Sequence, residues 1–224
     1  MTDSNDARRL DAAAALRQLN DAFVAHDGDD ELLQAITTFS RSTIAELRTG
    51  ARRDRAVLLA AHIDEMMGDG APAGDPDDET RPTPVNPMTD RAVGGTTNPI
   101  SAEFVSEIIG DEAVVRTTLG TAYEGAPGRS HGGMVAALFD DFTAFVLPLV
   151  KVAAYTGELT VRYHRPVPVE VPLEFRARIV SHEGRKLRVT GECRAADVVV
   201  ASCEVLFITI DFATFGQVLA EPTA

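Results

Sequence analysis

The sequence predicts an α+β fold: an antiparallel sheet wrapped around one long apolar helix, with a helical extension at the N-terminus. Three observations predict it. From Met134 to Val150 only Asp140, Asp141 and Thr143 are polar, and a helix apolar on nearly all sides belongs inside a domain. Around that segment, short runs rich in β-branched residues alternate with turn signals. The first third carries apolar residues at three- and four-residue spacing instead. Meandering strands on either side of a single long helix imply a sheet closing over it.

Taken in order, Leu16, Leu19 and Phe23 define one narrow helical stripe, and Leu32, Leu33, Ile36 and Phe39 a second. Gly28 separates the two, and Asp29 or Asp30 is placed to cap the second. A third stretch carries Val57, Leu58, Ala61, Ile63 and Met66 before Gly68. Such narrow stripes need a neighbour, either the rest of the chain or a second copy in an oligomer. Residues 1–67 thus form a helical extension. Residues 68–90, with five prolines, three glycines and six acids, have the composition of a semi-extended linker. The main domain then spans 91–224. In it Ala102–Ile109 and Ala113–Leu119 flank Gly110-Asp111, a hairpin signal. The loop 122–130 leads into the apolar helix. The strands Glu158–His164, Leu173–Ser181, Leu187–Arg194 and Val198–Ile210 follow, the middle pair joined by the turn HEGRK.

Charge and cysteine usage narrow the function classes. The net charge is −13, with 18 acids against 9 bases in residues 1–90 and 16 against 12 in residues 91–224. No basic stripe of the kind that neutralises phosphates is present, so nucleic acid is not an expected partner. Cys193 and Cys203 sit in no metal-ligand spacing and read as small buried hydrophobes. No metal and no cofactor are expected. The polar start MTDSNDARRL lacks a signal-peptide core, and Asp140 and Asp141 break the longest apolar run. A cytoplasmic protein without a membrane span is the expectation.

Asp140 is the residue out of place. A carboxylate carried into an apolar core costs several kcal/mol unless it is paired or used, so Asp140 reads as an active-site acid. His131-Gly132-Gly133 opens the same helix. Glycines there let a ligand approach the backbone, and the first-turn N–H groups with the helix dipole suit a carbonyl oxygen gaining negative charge. Gly132 and Asp140, eight residues apart, stand ~12 Å from each other on one helix. That gap closes if two antiparallel helices meet across a twofold axis, Gly132 of one subunit then facing Asp140 of the other. Asp141, about 100° around the helix, cannot face the same point and reads as structural or interfacial.

The stretch EGAPGRSHGGMVAALFD (124–140) resembles the PaaI-like branch of the hotdog-fold thioesterases, as do TLGTAYEG (118–125), TVRYHRP (160–166) and HEGRK (182–186). The resemblance covers about residues 95–210. It implies a hotdog domain that hydrolyses acyl-CoA to the acid and coenzyme A as a homodimer or larger homo-oligomer. Coenzyme A then enters as part of the substrate and leaves as product. It further implies Asp140 as base or nucleophile, the N–H of Gly132, with Gly133, as oxyanion donor, and His131 at the loop or thioester. Thr156 falls where the family places a Ser or Thr that orients water. Arg162, His164, Gly184, Arg185 and Lys186 correspond to positions that contact coenzyme A. Some members carry Asn where this chain has Gly125. The rival readings are a hotdog that binds acyl-CoA or an acyl carrier protein without hydrolysis, a hotdog dehydratase or hydratase, and a helical interaction module dimerised by a hotdog. As a further expectation, the N-terminal helices lid the acyl tunnel or enlarge the oligomer.

Overall fold

The computed structural model of the chain describes residues 2–54, 57–58, 82–84 and 89–210. Two helices come first, α1 (Thr2–Ala25) and α2 (Asp30–Leu47). Asp29 caps α2, its carboxylate accepting the Leu32 N–H at 2.8 Å. The third helical stretch, apart from Val57 and Leu58, lies outside the described residues, as does most of the linker.

The remainder is one antiparallel sheet around one helix. The strands are β1 (Thr83–Pro84), β2 (Phe104–Ile109), β3 (Glu112–Thr118), β6 (Ala153–Tyr163), β7 (Pro172–Glu183), β8 (Lys186–Ala195) and β9 (Val198–Ile210), and a separate small ribbon pairs β4 (Glu124–Ala126) with β5 (Arg129–Ser130). The sheet runs β1-β2-β3-β7-β8-β9-β6, so β6 is an edge strand among the described residues. Its other edge, β1, pairs Thr83 with Ile108 from within the segment expected to be linker, and the Thr89 carbonyl there accepts both the N–H and the hydroxyl of Thr97. Gly110 at φ 61° and Gly184 at φ 57° supply the left-handed turn residues of the β2–β3 and β7–β8 hairpins, conformations that glycine adopts without a steric penalty.

The central helix α3 (Gly132–Thr143) continues as a 3-10 stretch from Ala144 to Val150 containing Pro148. By length and composition Gly132–Val150 is apolar enough to cross a bilayer; here half of it is buried inside the fold. Val135, Leu138, Phe139, Phe142 and Val146 face Phe175, Leu187, Val189, Val205 and Phe207 of the sheet, and Phe139 and Phe142 meet Phe175 edge-on with ring centres 5.2 and 5.3 Å apart. Cys193 and Cys203 are free and buried in the same core, which pushes both thiols up to about 12.

The extension does not dock as its apolar pattern predicts. Helix α1 meets the sheet domain through Ala13, Arg17, Asn20 and Asp21, one side of a helix at near four-residue spacing. Arg17 Nη1 donates to the carbonyls of Thr96 (3.0 Å) and Asn98 (3.3 Å). The stripe of Leu16, Leu19 and Phe23 faces outward, as do Leu32, Leu33 and Phe39 of α2. Small and polar side chains fit the loops that α1 rests on, because those loops offer unpaired carbonyls and N–H groups rather than an apolar surface.

Candidate functional site

Two adjacent carboxylates leave the central helix in different directions. Asp141 is buried, with 8% of its surface exposed, and its Oδ1 takes Arg91 Nη2 at 2.6 Å. Desolvation pushes the Asp141 carboxyl up, and the Arg91 guanidinium opposes the shift. Arg91 in turn lies over the Phe145 ring, 5.9 Å from its centre. Asp140 is exposed on the single chain. The expectation that Asp140 is the carboxylate sunk in the core is therefore corrected: the buried acid is Asp141. The sheet covers the Phe139–Phe142 side of α3 and the 89–104 segment covers Asp141, leaving Asp140 on the side towards the edge strand β6.

What distinguishes Asp140 is its partner. Thr156 Oγ1 donates to Asp140 Oδ1 at 2.8 Å. A β-bulge makes this contact. Thr156 pairs with Phe207 and Leu159 with Val205, both core-facing partners, yet Thr156 and Leu159 are three residues apart. In a regular strand they would point to opposite faces. The extra residue between Thr156 and Glu158, Gly157, resets the alternation and turns Thr156 towards the helix. Gly157 has room for no side chain, since a Cβ would lie 2.9 Å from Ile208 Cγ1.

At the other end of α3, His131 is the N-cap in extended conformation, and its Nδ1 accepts the Gly133 N–H at 3.1 Å. The Gly133 N–H is thus occupied in the single chain. The Gly132 N–H, one of the first-turn donors that a helix cannot satisfy, has no partner among the described residues. His131 sets the helix start. Its own N–H donates to the Tyr123 carbonyl at 2.8 Å. The Tyr163 hydroxyl, to which the sequence reading gave no role, donates to the Gly132 carbonyl and packs on its Cα. Gly125, the position of the family's Asn, lies against His131: a Cβ there would stand 2.9 Å from the His131 Cα.

The residues expected around coenzyme A fall into two groups. Arg162 lies opposite Ser202, and His164 Nε2 is 2.8 Å from the Ser202 hydroxyl. Gly184 sits in the β7–β8 turn, Lys186 lies opposite Ile208, and Arg185 Nε donates to the Thr209 carbonyl at 3.1 Å. Six residues of β9 therefore separate the groups, about 20 Å at strand rise. Arg162 and His164 share the Gly132 end, and Arg185 and Lys186 the Asp140 end. The single chain does not bring them together, just as it keeps Gly132 from Asp140.

A groove of about 430 Å³ opens at the Gly132 end, lined among others by Arg129, His131, Gly132, Tyr163, His164 and Arg165. Among the described residues no acid lines it, although the chain carries a net charge of −13. Arg129 and Arg165 escaped the sequence reading, although both stand inside the stretches that carry the family resemblance. A larger groove of about 740 Å³ lies on the sheet beside Glu103, Arg116 and Glu174; it holds none of the expected site residues, and Arg116 and Glu174 pair with each other at 2.9 Å. Among the described residues, no cluster of His, Cys, Asp or Glu is arranged to hold a metal ion.

Comparison with known proteins agrees with the fold and the family expected. Residues 128–204 match the family model of the thioesterase superfamily. The acyl-coenzyme A thioesterase THEM4 of Xenopus laevis is 31% identical over 78 residues, 35% of each chain, and that of Mus musculus 29% identical over 94 residues, 41% of this chain and 40% of the mouse protein. The matches thus span well under half the length of these curated relatives. Among solved structures, the thioesterase superfamily protein RHA08564 superposes with a TM-score of 0.70 at 28% identity, covering 89% of this chain and 90% of that one. Coverage of that extent reaches beyond the hotdog into the N-terminal helices.

Proposed function

We propose that this chain, a hotdog-fold protein whose residues 128–204 form a thioesterase-superfamily domain, hydrolyses acyl-CoA thioesters at composite sites between two of its own copies. The observation that carries the reading is the Thr156–Asp140 hydrogen bond on the exposed side of α3, beside the unpaired edge β6 and ~12 Å along the helix from the free Gly132 amide. An exposed edge strand is a ready surface for a second strand. Pairing β6 antiparallel with its copy sets Gly132, Tyr163, Arg162 and His164 of one protomer opposite the Asp140 end of the other. The two halves of the site and the two groups of cations then converge, and Asp140 loses its solvent.

In that arrangement the thioester carbonyl accepts the Gly132 N–H, which is fixed in place by the helix and stabilises the oxyanion. Asp140 takes a proton from water held beside the Thr156 hydroxyl; the C–O bond forms, the C–S bond breaks, and the proton passes to the departing sulfur. Arg129, Arg162, His164 and Arg165 with Arg185 and Lys186 attract the phosphates of coenzyme A. The test is thiol release from short-, medium-, long-chain and aryl acyl-CoAs by the wild type beside Asp140→Ala. Turnover of at least one class, lost in the variant, is the expected result. Binding of all classes with no thiol release would instead identify a non-hydrolytic acyl-CoA protein.

A further inference from the structure

The N-terminal helix reaches the loop that carries the Gly132 amide. Gly120 opens the 3-10 turn Thr121–Tyr123 and, having no side chain, cannot cap it. Asp21 of α1 supplies the missing acceptor: its Oδ1 takes the Ala122 N–H at 3.0 Å from a position 101 residues earlier in the chain. The fit requires glycine, since a Cβ on residue 120 would lie 2.2 Å from Asp21 Oδ1. The next residue, Tyr123, holds the site from both ends. Its carbonyl accepts the His131 N–H at 2.8 Å, and its hydroxyl donates to the Ile100 carbonyl at 3.2 Å. Arg17, one turn before Asp21, ties the same helix to Thr96 and Asn98 next to Ile100. From Asp21 the connection to the active amide therefore runs through one capped turn, one backbone hydrogen bond and the His131–Gly132 peptide.

We infer that Asp21 is a positioning residue of the thioesterase site, and that α1 acts as a brace holding the Gly132 amide at the helix start. The inference rests on the proposed hydrolysis for its effect on rate, and on the hydrogen-bond chain alone for its effect on the loop. An amide that is preorganised for the oxyanion accelerates the chemical step, so loosening it lowers kcat while leaving ground-state binding largely in place. Displacements of about 1 Å at a reacting centre can lower rates by up to ~10²-fold. A brace acting through a loop should account for roughly a tenth of that, so Asp21→Ala is expected to lower kcat about tenfold with KM within twofold. Asp21→Asn keeps an oxygen for the Ala122 N–H and should restore most of the rate.

Two measurements on the full-length protein test this. The first is kcat and KM for the best acyl-CoA with wild type, Asp21→Ala, Asp21→Asn and Gly120→Ala, whose new methyl group would displace the Asp21 carboxylate. The second is amide hydrogen exchange of the segment 121–133 against the strands 186–210 in the same proteins. The expected result is a kcat loss in Asp21→Ala and Gly120→Ala, rescue in Asp21→Asn, and faster exchange confined to 121–133. Equal kcat in all four overturns the inference, and so does a loss that Asn fails to rescue. A wild type without hydrolysis rejects the proposed function. In that case unchanged exchange at 121–133 in Asp21→Ala still rejects the brace, and faster exchange there retains it. Should Asp21→Ala fail to fold, Gly120→Ala carries both comparisons.

Discussion

Asp140 and Asp141 are consecutive residues on one helix, and the fold uses them in opposite ways. Asp141 is wedged under the 89–104 segment with Arg91 as its counter-ion. Asp140 faces the open edge of the sheet with only the Thr156 hydroxyl against it among the described groups. The buried acid fixes how the helix is rotated, and the exposed acid is thereby presented. Burial in a single chain therefore marks the structural carboxylate here, and the proposed function puts the reactive one where a second copy would close over it.

Exchanging the roles is the sharpest way to break this contrast. Asp140→Ala should lower the rate of thiol release by ~10²-fold or more while barely moving the unfolding midpoint, because it removes an acid/base group and no core contact. A large loss of stability with modest loss of rate would reverse the assignment. Arg91→Met should do the converse. It leaves Asp141 a buried carboxylate without its counter-ion, a change expected to cost about 2–3 kcal/mol, kept at the low end because Arg91 is itself a third exposed. That loss should depend on pH. The Asp141 carboxyl is already held above its ordinary value, so the native state binds this proton more tightly than the unfolded chain does. Removing Arg91 raises it further, so the stability difference from wild type should be full only above the variant's raised value and shrink as the pH falls through it. Urea titrations at several pH values check this; a difference that grows on acidification would contradict it.

Smaller effects sharpen the picture on the Asp140 side. Thr156→Val keeps the shape but removes the donor to Asp140, and should slow hydrolysis about tenfold with little change in KM. Tyr163→Phe removes the hydroxyl from the Gly132 carbonyl. It should lower kcat/KM by a few-fold, in line with the ~1 kcal/mol that an exposed hydrogen bond contributes. A larger effect from Tyr163 than from Thr156 would place the decisive contact at the Gly132 end instead.

Much of this was legible in the residues. The hairpin at Gly110-Asp111, the turn at Gly184, the Asp29 cap and the strand series from Glu158 to Ile210 follow from local rules, and the structure has them. The family resemblance named Thr156 beside Asp140, and the structure hydrogen-bonds the two. The rotation of the central helix was not legible, because Arg91 and Gly94, which receive Asp141, lie some fifty residues earlier and carry no helical signal. Thr156 reached the site only through the bulge at Gly157, which breaks the alternation that a strand reading relies on. Helix α1 docked by Ala13, Arg17 and Asp21 rather than by Leu16, Leu19 and Phe23. Its partner surface is made of carbonyls and N–H groups in loops, and an apolar-stripe argument does not register these.

Subunit complementation tests the composite site most directly. Gly132 is the first helical residue, where proline is tolerated, and His131 before it is already extended at φ −63°, ψ 128°, as a residue preceding proline must be. Gly132→Pro therefore removes the proposed oxyanion donor and spares the helix start. Alone, Gly132→Pro and Asp140→Ala should each be inactive. Co-refolded in equal amounts, half of the dimers are mixed and carry one intact site of two, so about a quarter of wild-type activity should return. If activity stays at the level of the separate variants, both groups act within one chain and the shared site is wrong.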